Sequence, residues 1–341
     1  MSTVADSAHA PVSGENAWRR VLRATQSTWR EGRGLDAAEI TVGGARRRLG
    51  SRLTDHDAEA GRNFLTETTW QRVQKELEAN EAAPSAARKM MTATRLKDNL
   101  LSSQPLCFNL FAELSADLGL ATRALRLVWP DVIGRVEAIE FEWSPGRDDE
   151  TYLGNRSAFD VAVFYSAAGG RRGILGIEVK YHEDLRAVGG ELRDRAVEVA
   201  HDAGLPLDVA DPTWSRAPLN QLLLDHLLAL SITQHQKRPW GTADFCLLYP
   251  AVNAACHAAV AEYRGRLGYL PAFHATTLET LIGALRSTTE EPWVEAFHDR
   301  YLAYGRAFFV GQGIERPLRR ADAVRDWARS LRHSGIGSDE L

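Results

Sequence analysis

Apolar residues recur at helical spacing through Ala17–Gly32, Asp57–Ala79 and Ser85–Leu100, with charged positions between them, so the first hundred residues are expected to be mostly helix. Within them the glycine-containing stretch 32–53 carries Arg46-Arg47-Arg48 and is expected to form a loop, either solvated or in contact with phosphate. From Gln104, Leu106, Leu110, Phe111 and Leu114 fall on one helical stripe that ends near Gly119, the mark of a core-facing helix. Three β-type runs follow: VEAIEFEW (136–143), FDVAVFY (159–165) and GILGIEVKY (173–181). After a Pro- and Gly-broken polar stretch comes the helix 219–234, then the apolar strand 242–251, then helical segments to the end. Helix, three strands, helix and strand, framed by helical additions, predict a mixed sheet with helices on its faces.

Of the 341 residues 44% are hydrophobic and 25% charged, which excludes a disordered or fibrous chain and supplies a sizeable core. The net charge of −4 gives no global positive field, so binding to nucleic acid would depend on local basic groups. Three widely spaced cysteines, Cys107, Cys246 and Cys256, form neither a disulfide framework nor a CxxC pair and suit a reducing cytoplasm. A start without a basic, apolar leader argues against secretion. The greasiest later segment, interrupted by Asp225 and His226, argues against membrane spanning. Lysine is scarce: Lys75, Lys89, Lys97, Lys180 and Lys237 are five of 41 basic residues.

Against that background, Asp160 sits inside one apolar strand and Glu178 and Lys180 inside the next. Alternation puts Glu178 and Lys180 on one face. A hairpin about Gly169-Gly170 pairs residues whose numbers sum to about 338, which sets Asp160 beside Glu178. Like charges at that spacing are destabilising unless compensated, and Mg2+, with Mn2+ as an alternative, takes such oxygen ligands. Lys180 could hold the attacking water or steady charge growing on a phosphate. The competing reading is a surface Glu–Lys pair on an edge strand opposite a solvated Asp. No phosphate-binding loop, GxSxG elbow, HExxH helix or paired CxxC is present.

Asp160 followed by Glu178-Val179-Lys180, within this order of elements, resembles the PD-(D/E)xK nuclease superfamily, whose restriction-endonuclease-like core is αβββαβ. More narrowly, SSQPLCFNLF, AFDVAVFY, IEVKYHEDL and NQLLLDHLLAL resemble a bacterial branch described as PD-(D/E)xK nuclease-like. Phe159 stands where the family motif has proline. The resemblance, which covers 104–250 well, implies an α/β fold with the nuclease core at 104–251; the residues on either side read as a flexible start at 1–15, a helical region packed on the core at 16–103 and another at 252–341. It implies a Mg2+-dependent nuclease acting on DNA, in restriction or repair, with a non-catalytic nucleic-acid-binding or scaffold protein as the alternative. It leaves the oligomeric state open, a homodimer included. Asp160, Glu178 and Lys180 are the implied catalytic set. Glu113 is a further carboxylate from the first core helix, with an exposed helix position as its competing reading. Glu140 and Glu142 are fallback ligands that solvent-facing alternation also explains. Gln221 matches a glutamine of some exonuclease members, although Asp225 replaces the tyrosine expected four residues on. Gln221, His182 and the hairpin pair Arg171 and Arg172 are the candidate DNA contacts, with Arg46–Arg48 and Arg316, Arg319 and Arg320 as further basic clusters.

Overall fold

A computed structural model describes residues 12–304, except 43, 168–169, 184, 186–189, 209 and 238–239. The arginines 316, 319 and 320, the C-terminal stretch from 305 and the first eleven residues lie outside the described residues.

The chain opens with α1 (Ala17–Gly32), whose N-cap Asn16 accepts from the Arg19 N–H, the usual way a first-turn donor is satisfied. Where a loop is expected, the glycine-rich stretch instead forms an antiparallel hairpin, β1 (Ala37–Val42) and β2 (Ala45–Leu53). The β-branched run Ile40, Thr41, Val42 before a glycine turn accounts for it. Arg46 and Arg48 lie on β2 and pair with Glu39 at 2.8 Å and Asp36 at 3.5 Å. Then come α2 (Asp55–Glu59), α3 (Glu67–Ala82), α4 (Ala93–Lys97), α5 (Ser103–Ala116) and α6 (Leu118–Val128).

The central sheet runs β3 (Arg135–Trp143), β4 (Phe159–Ser166), β5 (Arg172–Val179), β6 (Thr242–Tyr249) and β7 (Phe273–Thr277), in that spatial order. The first three strands are antiparallel; β6 and β7 run parallel to β5. Parallel neighbours require crossovers, supplied by α7 (Asp194–Asp202) with α8 (Leu219–Gln234) and by α9 (Ala254–Leu267). The strand β7 and the parallel unit it completes fall in a region expected to be helical. Two helices, α10 (Leu278–Thr288) and α11 (Pro292–Tyr301), close the described chain.

Side-chain alternation gives the sheet two buried faces. Val161, Val163, Leu175, Ile177, Val179 and Leu248 pack with α5, α6, α10 and α11. Ala162, Phe164, Ile174, Phe245 and Leu247 pack with α7, α8 and α9. An α8 that is apolar nearly all round lies buried between sheet and helices, as such a helix must. Gly176 on β5 is fixed by close approach: an added Cβ would lie 2.5 Å from the Phe159 ring, which also stacks with Trp143 and Phe245. The residue in the position of the motif's proline thus anchors the start of β4.

Candidate active site

The β4/β5 ladder pairs Val161 with Ile177 and Ala162 with Gly176, and one residue further the same register sets Asp160 beside Glu178. On the other side, β3 pairs Phe141 with Val161 and Trp143 with Phe159, which sets Glu142 beside Asp160. Three carboxylates therefore lie on one rung across three adjacent strands. Glu142 has φ of 48°, a left-handed backbone uncommon for a residue with a side chain. It is half-buried and receives the Gln104 amide at 2.9 Å. Glu140, by contrast, is exposed, as alternation says.

Glu178 and Lys180 are each only 7% exposed. The Lys180 Nζ donates to Glu178 Oε1 at 2.6 Å and to Gln221 Oε1 at 3.0 Å, while the Gln221 amide donates to the same Glu178 oxygen at 2.7 Å. Asp160 Oδ2 accepts the Val179 N–H at 2.8 Å. Burial, then repulsion from Glu178 and Glu142, pushes the Asp160 carboxyl well above the usual carboxylate range. Burial and Glu178 also raise Glu142. Burial works against the Lys180 ammonium, but Glu178, Glu183 and Asp160 outweigh it and hold the lysine above its ordinary value. It is therefore a cation at neutral pH. Glu183 accepts from the Tyr181 N–H at 2.9 Å and from Ser103 Oγ at 3.0 Å.

Several expected site residues stand elsewhere. Glu113 is not brought to the rung: it accepts a hydrogen bond from Thr66, the N-cap of α3. Nine residues separate it from Gln104, which on a helix is two and a half turns, so it lies about 13 Å along α5 and on the opposite side. Glu142 takes the position expected of it. His182 turns its ring to the Leu101 carbonyl, 2.7 Å from Nδ1. Arg171 and Arg172 are exposed at the turn, at the far end of β5 from Glu178. Seven residues of strand put them about 20 Å from that carboxylate, and Arg172 lies 4.3 Å over the Trp240 ring. Gln221 sits among the charged groups as their hydrogen-bonding bridge.

Asp225 is the group that sequence reasoning missed. One turn after Gln221 on α8, it is 5% exposed, and its Oδ2 is a buried oxygen with no hydrogen-bond partner among the described residues. Burial, then Glu178, raises its carboxyl well above the usual range. An acid inside the apolar run LLLDHLL is the same signal that marks Asp160. Its neighbour His226 is a core histidine, bonded to Tyr263 and the Pro271 carbonyl and pushed by burial down to about 4.

Hard oxygen donors on one rung, two of them held above their ordinary pKa by burial and mutual repulsion, suit a divalent cation. Among the described residues no three His, Cys, Asp or Glu side chains are already drawn into a metal cage; Glu178 is held by Lys180 and Gln221. Among the described residues no helix is long and apolar enough to cross a membrane.

No curated protein and no solved structure matches the chain significantly. The family model of the PD-(D/E)XK nuclease superfamily matches residues 13–303, from the turn before α1 to the end of α11. A five-stranded mixed sheet flanked by helices is consistent with that match, and the chain belongs to the PD-(D/E)XK nuclease superfamily.

Proposed function

We infer that the protein is a divalent-metal-dependent nuclease that hydrolyses phosphodiester bonds of DNA. The observation that carries this reading is the buried Glu178–Lys180–Gln221 contact beside Asp160, because charged groups kept inside a sheet need a function or a partner to offset the cost of burial. Asp160 and Glu178 would hold Mg2+, or Mn2+ with the same donors, and Glu142 would complete the set. When bound, such a cation supplies a water of lowered pKa and neutralises charge on the phosphoryl oxygens.

Lys180 cannot act as a base while it remains protonated. Its ammonium has three donors, of which two are engaged by Glu178 and Gln221. Among the described residues the third meets no acceptor, and it could orient a water or meet the oxyanion that grows on phosphorus, where a fixed donor in a water-poor site counts most. Gln221 keeps that ammonium in place by accepting from it while donating to Glu178. Restriction and repair are the biological settings this chemistry fits. The test is incubation of supercoiled plasmid with pure protein: nicking or linearisation that appears with Mg2+ and stops with EDTA supports the reading. A protein that binds DNA and never cuts it with Mg2+ or Mn2+ would instead be a binding or scaffold protein on the nuclease fold.

A further inference from the structure

The cations that bear on the carboxylate rung are not the hairpin pair. Arg95 stands beside it on α4: it is half-exposed, its Nε donates to Ser102 Oγ at 3.0 Å, and its Nη2 lies 3.7 Å from Glu183. Arg147 comes from the segment between β3 and β4, its Nη2 donating to the Glu142 carbonyl at 2.9 Å. Its Nε is buried and has no hydrogen-bond partner among the described residues. Both positive charges act on the Glu142 carboxyl, opposing the rise that burial imposes.

Arg156 adds a third charge, close enough to Arg147 to repel it. Its guanidinium ties this segment to the chain before α4, donating to the carbonyls of Ala86 at 3.2 Å and Arg88 at 3.0 Å. Acids on the same segment are partly committed: Asp148 pairs with Arg156 at 2.9 Å, and Asp149 accepts from the Thr151 N–H and hydroxyl. Two separate stretches of chain thus bring arginines to the same edge of the site. Like charges brought together at one edge are the chemistry that recognises a phosphate diester.

The geometry points to Arg95 and Arg147 as the pair that grips the phosphates of the strand to be cut, one from α4 and one from the segment after β3. This assignment rests on the nuclease reading. The experiment is the binding of a fluorescein-labelled DNA duplex to Lys180→Met protein, with calcium in place of magnesium, measured across a potassium chloride series. Each lost phosphate contact lowers the slope of log affinity on log salt by about 0.9. Arg95→Ala with Arg147→Ala should flatten the slope by about 1.8, and Arg171→Ala with Arg172→Ala should leave it as in the parent. Arg147→Lys, which keeps the charge, should keep the slope.

A parent-like slope in the Arg95/Arg147 double variant overturns the assignment. Should that variant lose its circular-dichroism signal, Arg95→Ala alone decides, because its side chain stands at the exposed rim: a slope lower by about 0.9 supports the assignment and an unchanged slope overturns it. A parent protein that binds no duplex at all contradicts the nuclease reading itself, whereas binding whose slope ignores Arg95 and Arg147 contradicts only their role.

Discussion

Replacing Asp160 by Asn removes the middle charge of the Glu142–Asp160–Glu178 rung and keeps an oxygen to accept the Val179 N–H. Facing side chains on neighbouring strands stand about 5 Å apart, and two unit charges at that distance repel by about 3 kcal/mol at an effective dielectric constant of about 20. Lys180 offsets part of this, and the carboxyl escapes part by holding a proton, its pKa being raised first by burial and then by Glu178 and Glu142. A surviving penalty of about 2 kcal/mol at pH 8 is reasonable on these figures. A carboxyl whose pKa is raised on folding stabilises the fold below its unfolded pKa of about 3.9, and that contribution is lost as pH rises through the raised value. The variant should therefore melt higher than wild type in EDTA at pH 8, by about 4 °C, and the gap should shrink towards pH 5. Added Mg2+ should raise the melting temperature of wild type and not of the variant, which reverses the order. Thermal melts by circular dichroism at both pH values, with EDTA and with Mg2+, provide the measurement. An Asp160→Asn protein less stable than wild type in EDTA at pH 8 refutes the repulsion argument.

Other substitutions probe the same site. Lys180→Arg keeps the charge, but its bulkier planar head must fit where the residue is 7% exposed between Glu178 and Gln221; plasmid cleavage should fall by at least about tenfold. Gln221→Leu removes both the acceptor for Lys180 and the donor to Glu178, so single-turnover kinetics should show kcat down about tenfold with KM for DNA little changed. Gly176→Ala drives a Cβ to 2.5 Å from the Phe159 ring and should cost about 1–3 kcal/mol, read as a lower melting temperature.

The β4/β5 hairpin was legible because apolar alternation and a glycine turn narrow the register to within a residue of a sum of 338, and the observed pairs Val161–Ile177 to Ser166–Arg172 have that sum. The core order of helix, three strands, helix and strand was legible for the same reason. Glu142 was legible only as a fallback ligand alongside Glu140: alternation assumes a regular strand, whereas β3 has a register shift between Val136 and Ala138 and a left-handed residue at Glu142 itself. Glu113 misled because helical spacing shows which residues share a stripe and does not show which end of the helix meets the sheet's functional edge. The hairpin β1–β2 was hidden by its arginines, which as exposed ion-paired residues carry no apolar alternation. Asp225 was visible as an interruption of an apolar run and as a departure from the tyrosine expected after Gln221, and its meaning depends on α8 lying against β5. The distance from the hairpin turn to the carboxylates was calculable from strand length alone, and it moves the candidate phosphate grip to Arg95 and Arg147.

Cleavage of supercoiled plasmid by wild type and by Glu178→Gln, over a Mg2+ titration with an EDTA control, tests the central claim most directly. Glu178→Gln keeps the side chain's shape and one acceptor for Lys180. The account predicts nicking by wild type that rises with Mg2+ and vanishes with EDTA, and none above background from the folded variant. Equal cleavage by both proteins, or cleavage that persists in EDTA, would contradict it.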